Sequence, residues 1–252
     1  MEKIKLLSLV VPAYKQEKTI VKDIENLNKI LSSMQCKYEI LVVVDGFLDK
    51  TYDILQDLTS KIKNLKVLFY EKNHGKGYAV RYGVSKAMGD VIGFIDAGMD
   101  IETSGIGILL DYMLLHDADI VIGSKLHPDS IVEYPMQRKI LSWGYRAITQ
   151  TLFGFSVRDT QVGLKLFRKK VIKEVFPLLA VKRFAFDVEI LAVSYARGYR
   201  KIYEAPVKLT YNWGSTIANF TSVSFWNVIF SMLWDTAAVF YRLKILHYYD
   251  RK

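Results

Sequence analysis

Short apolar runs alternate along this chain with stretches of helical periodicity. Leu6-Leu7-Ser8-Leu9-Val10-Val11 is a β-type run stopped by Pro12, after which Ile20, Ile24, Leu27, Leu31 and Met34 fall on one helix face. The run at 39–44 is continuously apolar after Glu39, the pattern of a strand buried on both sheet faces, and it ends at Asp45-Gly46. Ile54, Leu55, Leu58 and Ile62 return to helical spacing before a strand at 66–70. Asn73-His74-Gly75-Lys76-Gly77 then opens a helix that closes on Ala87-Met88-Gly89, and Val91-Ile92-Gly93-Phe94-Ile95 carries Asp96 at a strand end. Another helix and a strand at 119–123 follow. This order predicts an α/β fold: a mostly parallel sheet flanked by helices and joined by right-handed crossovers.

The last part of the chain reads differently. Ser224, Asn227, Ser231, Asp235 and Arg242 form one narrow polar stripe on a helix otherwise covered by large apolar side chains, among them Phe225, Trp226, Phe230 and Trp234. Such a face either packs on the sheet or lies in a bilayer interface, with Arg242, Lys244, Arg251 and Lys252 as basic flanks. No repeat, low-complexity tract or linker interrupts the pattern. The predicted division is a main body at 1–215 and an amphipathic helical segment at 216–252.

At 252 residues, half of them hydrophobic, the chain can bury a substantial core. Its formal charge of +9 points to an anionic partner: a phosphorylated ligand or an acidic membrane surface. Nucleic acid is the weaker choice, because no arginine-rich run or zinc-finger spacing occurs. The single Cys36 excludes an internal disulfide framework and fits a reducing compartment. The first residues run straight into a strand rather than forming a signal peptide. No apolar run approaches the ~20 residues of a spanning helix. The expected location is cytoplasmic, at most lying on a membrane.

Anionic ligands of open α/β sheets bind at strand ends and helix N-termini. The loop at 73–77 offers backbone N–H groups and two cations, Lys76 and Arg81, while Asp96 is placed to hold a divalent metal against a phosphate. Asp187 and Glu189, two apart on a helix, cannot approach one atom equally. One is expected to orient a sugar or cation, the other to cap a helix or pair with Arg183. His74, His116, His127 and His247 show no metal-ligand spacing.

The ordered set Val11-Pro12-Ala13-Tyr14, Val44-Asp45-Gly46 with Asp49, Asn73-His74-Gly75-Lys76-Gly77, Asp96 and Gly123-Ser124-Lys125 resembles family-two glycosyltransferases. Two later segments, Asp159-Thr160-Gln161-Val162-Gly163-Leu164-Lys165-Leu166-Phe167 and Phe184-Ala185-Phe186-Asp187-Val188-Glu189, look like the dolichyl-phosphate and polyprenyl-phosphate hexosyltransferases, nearest their glucosyltransferase branch. The resemblance spans nearly the whole chain. It implies a GT-A-type fold and inverting transfer of a hexose from a nucleotide sugar to a lipid phosphate. Glucose from UDP-glucose is the first choice and mannose from GDP-mannose the second. It further implies a Mg or Mn ion and a peripheral position on the cytoplasmic face of a membrane.

Carried over residue by residue, the resemblance assigns nucleotide-sugar binding to Pro12, Ala13, Tyr14, Glu17, Asp45, Asn73, Gly75, Lys76, Gly77, Arg81, Ala97 and Gly98. Lys125 and Arg138 receive the acceptor phosphate. Asp96, Asp159, Gln161 and Asp187 are the catalytic candidates, and Asp96 with Asp100 the metal ligands. An acceptor phosphate is already ionised and needs cationic positioning rather than a general base. A hydroxyl acceptor would instead require one, for which Asp187 is the candidate.

The chain departs from its relatives at three places. Lys15-Gln16-Glu17 stands where Asn-Glu-Glu is common, Val44-Asp45 replaces paired aspartates, and Gly98 occupies the second position of an Asp-x-Asp motif. Asp100 is the expected substitute for the lost carboxylate. These departures are the only support for a rival reading as a non-catalytic sugar-nucleotide-binding subunit.

Overall fold

A computed structural model describes residues 4–98, 101–133, 136–210 and 223–250, leaving out the side chains of 133, 136–140, 210 and 223–225. Its main sheet contains β1 (Leu6–Ala13), β2 (Lys37–Asp45), β3 (Leu65–Tyr70), β4 (Val91–Ile95), β5 (Ile120–Ser124), β7 (Leu164–Arg168) and β8 (Ile202–Pro206), in the order β3-β2-β1-β4-β7-β5-β8. A small parallel pair joins β6 (Ile131–Glu133) to β9 (Lys208–Thr210). The helices are α1 (Ile20–Ser32), α2 (Thr51–Thr59), α3 (Lys76–Lys86), α4 (Gly105–Leu115), α5 (Met136–Phe153), α6 (Lys169–Val175), α7 (Phe186–Ala196) and α8 (Val223–Lys244).

β1, β2, β3 and β4 are parallel, as their apolar runs predict, and their residues are almost all buried in β1, β2 and β4. The exception in the sheet is β7, which runs antiparallel to both β4 and β5. That reversal has a consequence for the site. Leu164, the first residue of β7, pairs with Ile95, the last of β4, so the turn before β7 arrives beside Asp96. A parallel strand would have delivered it to the opposite edge.

Each sheet face carries its own core. α1, α2 and α4 cover one side through Ile24, Leu27, Leu55, Leu58 and Leu109. α3, α6 and α7 cover the other through Val80, Val84, Val171, Ile190 and Leu191, and α8 adds Val239 and Leu243 to it. In the order β3-β2-β1-β4, chain connections run opposite ways on the two sides of the β1–β4 boundary. Ligands of doubly wound sheets bind outside the carboxyl ends of the strands at such a switch.

α8 packs one face against the rest of the protein and leaves a row of aromatic side chains exposed on another. Thr236, Val239 and Leu243 are buried, whereas Trp226, Phe230, Trp234 and Tyr241 are exposed on the outward side. A chain end also docks: the Tyr249 hydroxyl, in a 3-10 turn at Tyr248–Asp250, donates to Glu189 on α7 at 2.5 Å.

Candidate active site

Asp96 leaves β4 at the switch point, and its backbone N–H donates to the Gly163 carbonyl at 3.0 Å. Gly163 has no side chain for a spatial reason: a Cβ there would meet Asp96 Oδ2 at 2.1 Å. Two residues past Asp96, Gly98 has φ +87, a conformation that strains any L side chain, and its N–H donates to Asp23 of α1 at 3.0 Å. The second position of the Asp-x-Asp pattern is thus a tethered backbone turn. Asp100 lies outside the described residues.

Beneath Asp96 runs a line of four charged groups. Lys76 Nζ, at the start of α3, lies 2.9 Å from Asp96 Oδ1 and 3.0 Å from Oδ2, and 2.9 Å from Asp187 Oδ2 on α7. The other oxygen of Asp187 takes Lys165 Nζ from β7 at 2.5 Å, and that ammonium also donates to the Val162 carbonyl at 2.5 Å. Lys165 and Asp187 are buried. Burial pushes the Asp187 carboxyl upward, but the two ammonium groups outweigh it and hold the pKa below the usual carboxylate range. Both oxygens of Asp187 are thus engaged by ammonium groups.

The glycine loop is an anion cradle already filled by the protein itself. Asp45, at the end of β2, accepts from His74 N at 2.7 Å, Gly75 N at 2.9 Å and Asn73 Nδ2 at 2.8 Å. Gly77 N donates to the Lys182 carbonyl at 2.9 Å. The backbone donors expected for a phosphate are thus committed internally, and Lys76 is the loop's contribution to the site. The Arg81 guanidinium donates to the Leu179 carbonyl.

Glu17 joins two loops. Its Oε2 accepts from Lys50 N at 3.1 Å, and its own N–H donates to Asp49 at 3.1 Å. Pro12 and Ala13 close β1, and the exposed Tyr14 ring beyond them carries Lys15 Nζ 5.5 Å from its centroid.

A cavity of about 730 Å³ extends from Asp96 and Ala97 past Lys125, Asp159 and Gln161 to α5 and α8. Asp159 is buried and fixes the rim: Lys125 N donates to it at 2.9 Å, Gln161 N at 3.3 Å, and Lys125 Nζ lies 3.5 Å away. Gln161 Nε2 is buried with no hydrogen-bond partner. The far walls are apolar, with Ile148 of α5 and Val228, Ile229, Met232 and Leu233 of α8. Tyr145 also faces the cavity; its hydroxyl meets Thr236 at 2.8 Å, and burial lifts its pKa to about 12.

Sequence reasoning missed Arg146 and Arg158, two more cations lining this space. It also missed Lys165, although a lysine inside an otherwise apolar strand is itself a sign of a buried charge. The backbone of Arg138 falls in α5; its side chain lies outside the described residues.

The described residues contain no group of three or more His, Cys, Asp or Glu side chains that could hold a metal ion. The Asp96 side chain is 44% exposed at the cavity, but both of its oxygens face Lys76 Nζ, at 2.9 and 3.0 Å. A Mg or Mn ion here would share that carboxylate with the ammonium and take its other ligands from substrate phosphates.

An open α/β sheet with its charged groups gathered outside the carboxyl ends of the switch-point strands is the architecture of a nucleotide-binding enzyme. The chain belongs to glycosyl transferase family 2, whose family profile matches residues 8–176. It is a glycosyltransferase. It is 30% identical to the dolichyl-phosphate beta-glucosyltransferase of Dictyostelium discoideum over 233 residues, 86% of this chain and 70% of that protein. The human protein of the same name is 30% identical over 238 residues, 88% of this chain and 71% of the relative. Among solved structures, glucosyl-3-phosphoglycerate synthase of Mycobacterium tuberculosis, crystallised with Mn2+, UDP and phosphoglyceric acid, matches with a TM-score of 0.68. That match covers 94% of this chain and 78% of the other at 16% identity, and it establishes the shared GT-A fold.

Proposed function

We propose that this protein transfers glucose from UDP-glucose to a polyprenyl- or dolichyl-type lipid phosphate, with inversion at the anomeric carbon. The observation that carries the reading is the cavity, which has acid–base groups at one end and a hydrocarbon-compatible wall at the other. An ionised head on a long apolar tail matches that polarity. The names of its relatives favour glucose over mannose as the sugar.

In this reading the nucleotide lies over the carboxyl ends of β1 and β2, near Pro12, Ala13 and Tyr14, with the diphosphate facing Lys76. A divalent ion would be held by Asp96, with Asp100 as the second candidate carboxylate. When bound, it supplies positive charge that offsets the charge of the departing UDP. Lys125, tethered by Asp159, faces the acceptor phosphate, together with Arg138 and the rim cations Arg146 and Arg158. Gln161 offers its unpaired amide to a sugar hydroxyl.

A phosphate oxygen attacks the anomeric carbon as its bond to UDP breaks. No proton has to be removed, because the acceptor is ionised near neutral pH. Asp187 supports this acceptor class over a hydroxyl, since Lys76 and Lys165 occupy both of its oxygens. The exposed aromatic row of α8 favours a peripheral position on a membrane. Among the described residues no helix is long and apolar enough to cross one.

The test is incubation with a panel of nucleotide sugars and a short polyprenyl phosphate, with and without Mg2+ or Mn2+, read by mass spectrometry. A hexosyl-phospholipid formed from UDP-glucose is the expected product. Transfer only to a saccharide or peptide hydroxyl would overturn the reading.

A further inference from the structure

Lys165 has no place in the reaction described above, yet it is among the most completely buried large side chains of the protein. A lysine without solvent is costly unless it is paired and hydrogen-bonded. Here it meets one carboxylate and one carbonyl, and the carboxylate is the rear anchor of Lys76. The line Lys165–Asp187–Lys76–Asp96 contains two ammonium and two carboxylate groups and is formally neutral. It starts in the middle of the sheet, at β7, and ends at the half-exposed Asp96 by the cavity. Each inner member bridges two neighbours, so removing one charge leaves an adjacent buried charge without compensation.

We propose that Lys165 and Asp187 are positioning residues for the donor site: they lock Lys76 from behind, so that its ammonium is fixed in front of Asp96, where the donor diphosphate arrives. The proposal rests on the donor reading given above. Lys76 alone has a flexible stem and would follow the nearest anion. Asp187 holds it at a fixed depth, and Lys165 prevents Asp187 from rotating or moving toward the cavity. Burial, with the nearby Lys76 charge, holds the Lys165 pKa below its ordinary value while Asp187 opposes that shift, so the Lys165 ammonium depends on Asp187. Preorganised charge of this kind needs no rearrangement when the substrate's charge appears.

The experiment measures UDP binding by calorimetry, with folding checked by circular dichroism. The variants are Lys165→Met, Asp187→Asn and the double variant carrying both. Each single change is expected to weaken UDP binding by roughly tenfold or more, through a buried charge left unpaired. Because Lys165 acts on Lys76 only through Asp187, the double variant is expected to bind UDP no more weakly than Asp187→Asn alone, rather than with the product of the two losses. Unchanged UDP affinity in folded Lys165→Met, or multiplicative losses in the double variant, overturns the proposal.

If Lys165→Met does not fold, the comparison of Asp187→Asn with the double variant decides it. Weaker binding by the double variant than by Asp187→Asn overturns the inference. Failure of the unaltered protein to bind UDP at all would remove the donor reading together with this inference. Binding by the unaltered protein with no coupling removes the positioning role alone.

Discussion

Asp45 shows how one side chain can organise a loop that seems made for a ligand: its two oxygens take the backbone donors of His74 and Gly75. Glu39 does similar work at the other end of β2, where Ser8, Met88 N and Lys66 all donate to it. Burial alone would raise its pKa, but these donors and the Lys66 charge bring it below the ordinary glutamate value. The ionised form is therefore favoured in the folded state. Its contribution is fully present above the unfolded value and is lost as pH falls through the folded one. Glu39→Gln should cost about 1.5–3 kcal/mol at pH 7, the range of a charged hydrogen bond, and less at pH 3.5. Urea melts at the two pH values measure the difference, which must shrink on acidification. In the cavity, Lys125→Ala should raise the KM for lipid phosphate by roughly tenfold to a hundredfold, from the same energy range, and leave that for the nucleotide sugar unchanged. Steady-state kinetics with each substrate varied separates the two effects.

Between elements, the decisive contacts join parts far apart in sequence. Glu189 on α7 accepts from Ala180 N and Val181 N, fixing the segment before the helix, and from Tyr249 after α8. The two acids of α7 thus have separate tasks: Asp187 faces the lysines, and Glu189 fastens the chain on either side. Tyr249→Phe removes one buried charge-assisted hydrogen bond and should lower stability by about 1.5–3 kcal/mol. The expected signature is a lower urea midpoint with an unchanged slope. A lower slope would mean instead that the end of the chain had come loose before the rest unfolded.

At the scale of the molecule, the cavity and the aromatic row are two products of the same packing of α5 and α8. The inward face of α8 supplies Val228, Ile229, Met232 and Leu233 to the cavity, while Trp226, Phe230 and Trp234 face outward. In the proposed reading, a lipid acceptor enters from a membrane lying against this row. Inserting such side chains contributes roughly 1.5–3 kcal/mol each, and anionic lipids should add to that through the basic residues. The protein is expected to float with anionic liposomes. A variant with Trp226, Phe230 and Trp234 changed to Ser should float less while keeping its circular dichroism spectrum and UDP affinity. Equal flotation of the variant would show that this row does not make the contact.

The alternating apolar runs determined the α/β class, the parallel β1–β4 half and the placing of Asp96 at a strand end, because strand and helix periods are local properties of the chain. The ordered motifs also pointed to the family, since glycines and acids at strand ends are visible one residue at a time. Tertiary structure decided what those residues face. The reversal of β7 brings Gly163 against Asp96 and Asp159 into the same cavity, a matter of strand order that no local pattern encodes. Only packing shows that Arg81 serves a carbonyl, that Asp45 fills the glycine loop and that Lys165 neutralises Asp187. A charged residue advertises its charge in the sequence, but its partner is chosen by the fold, through distances between segments separated by tens of residues.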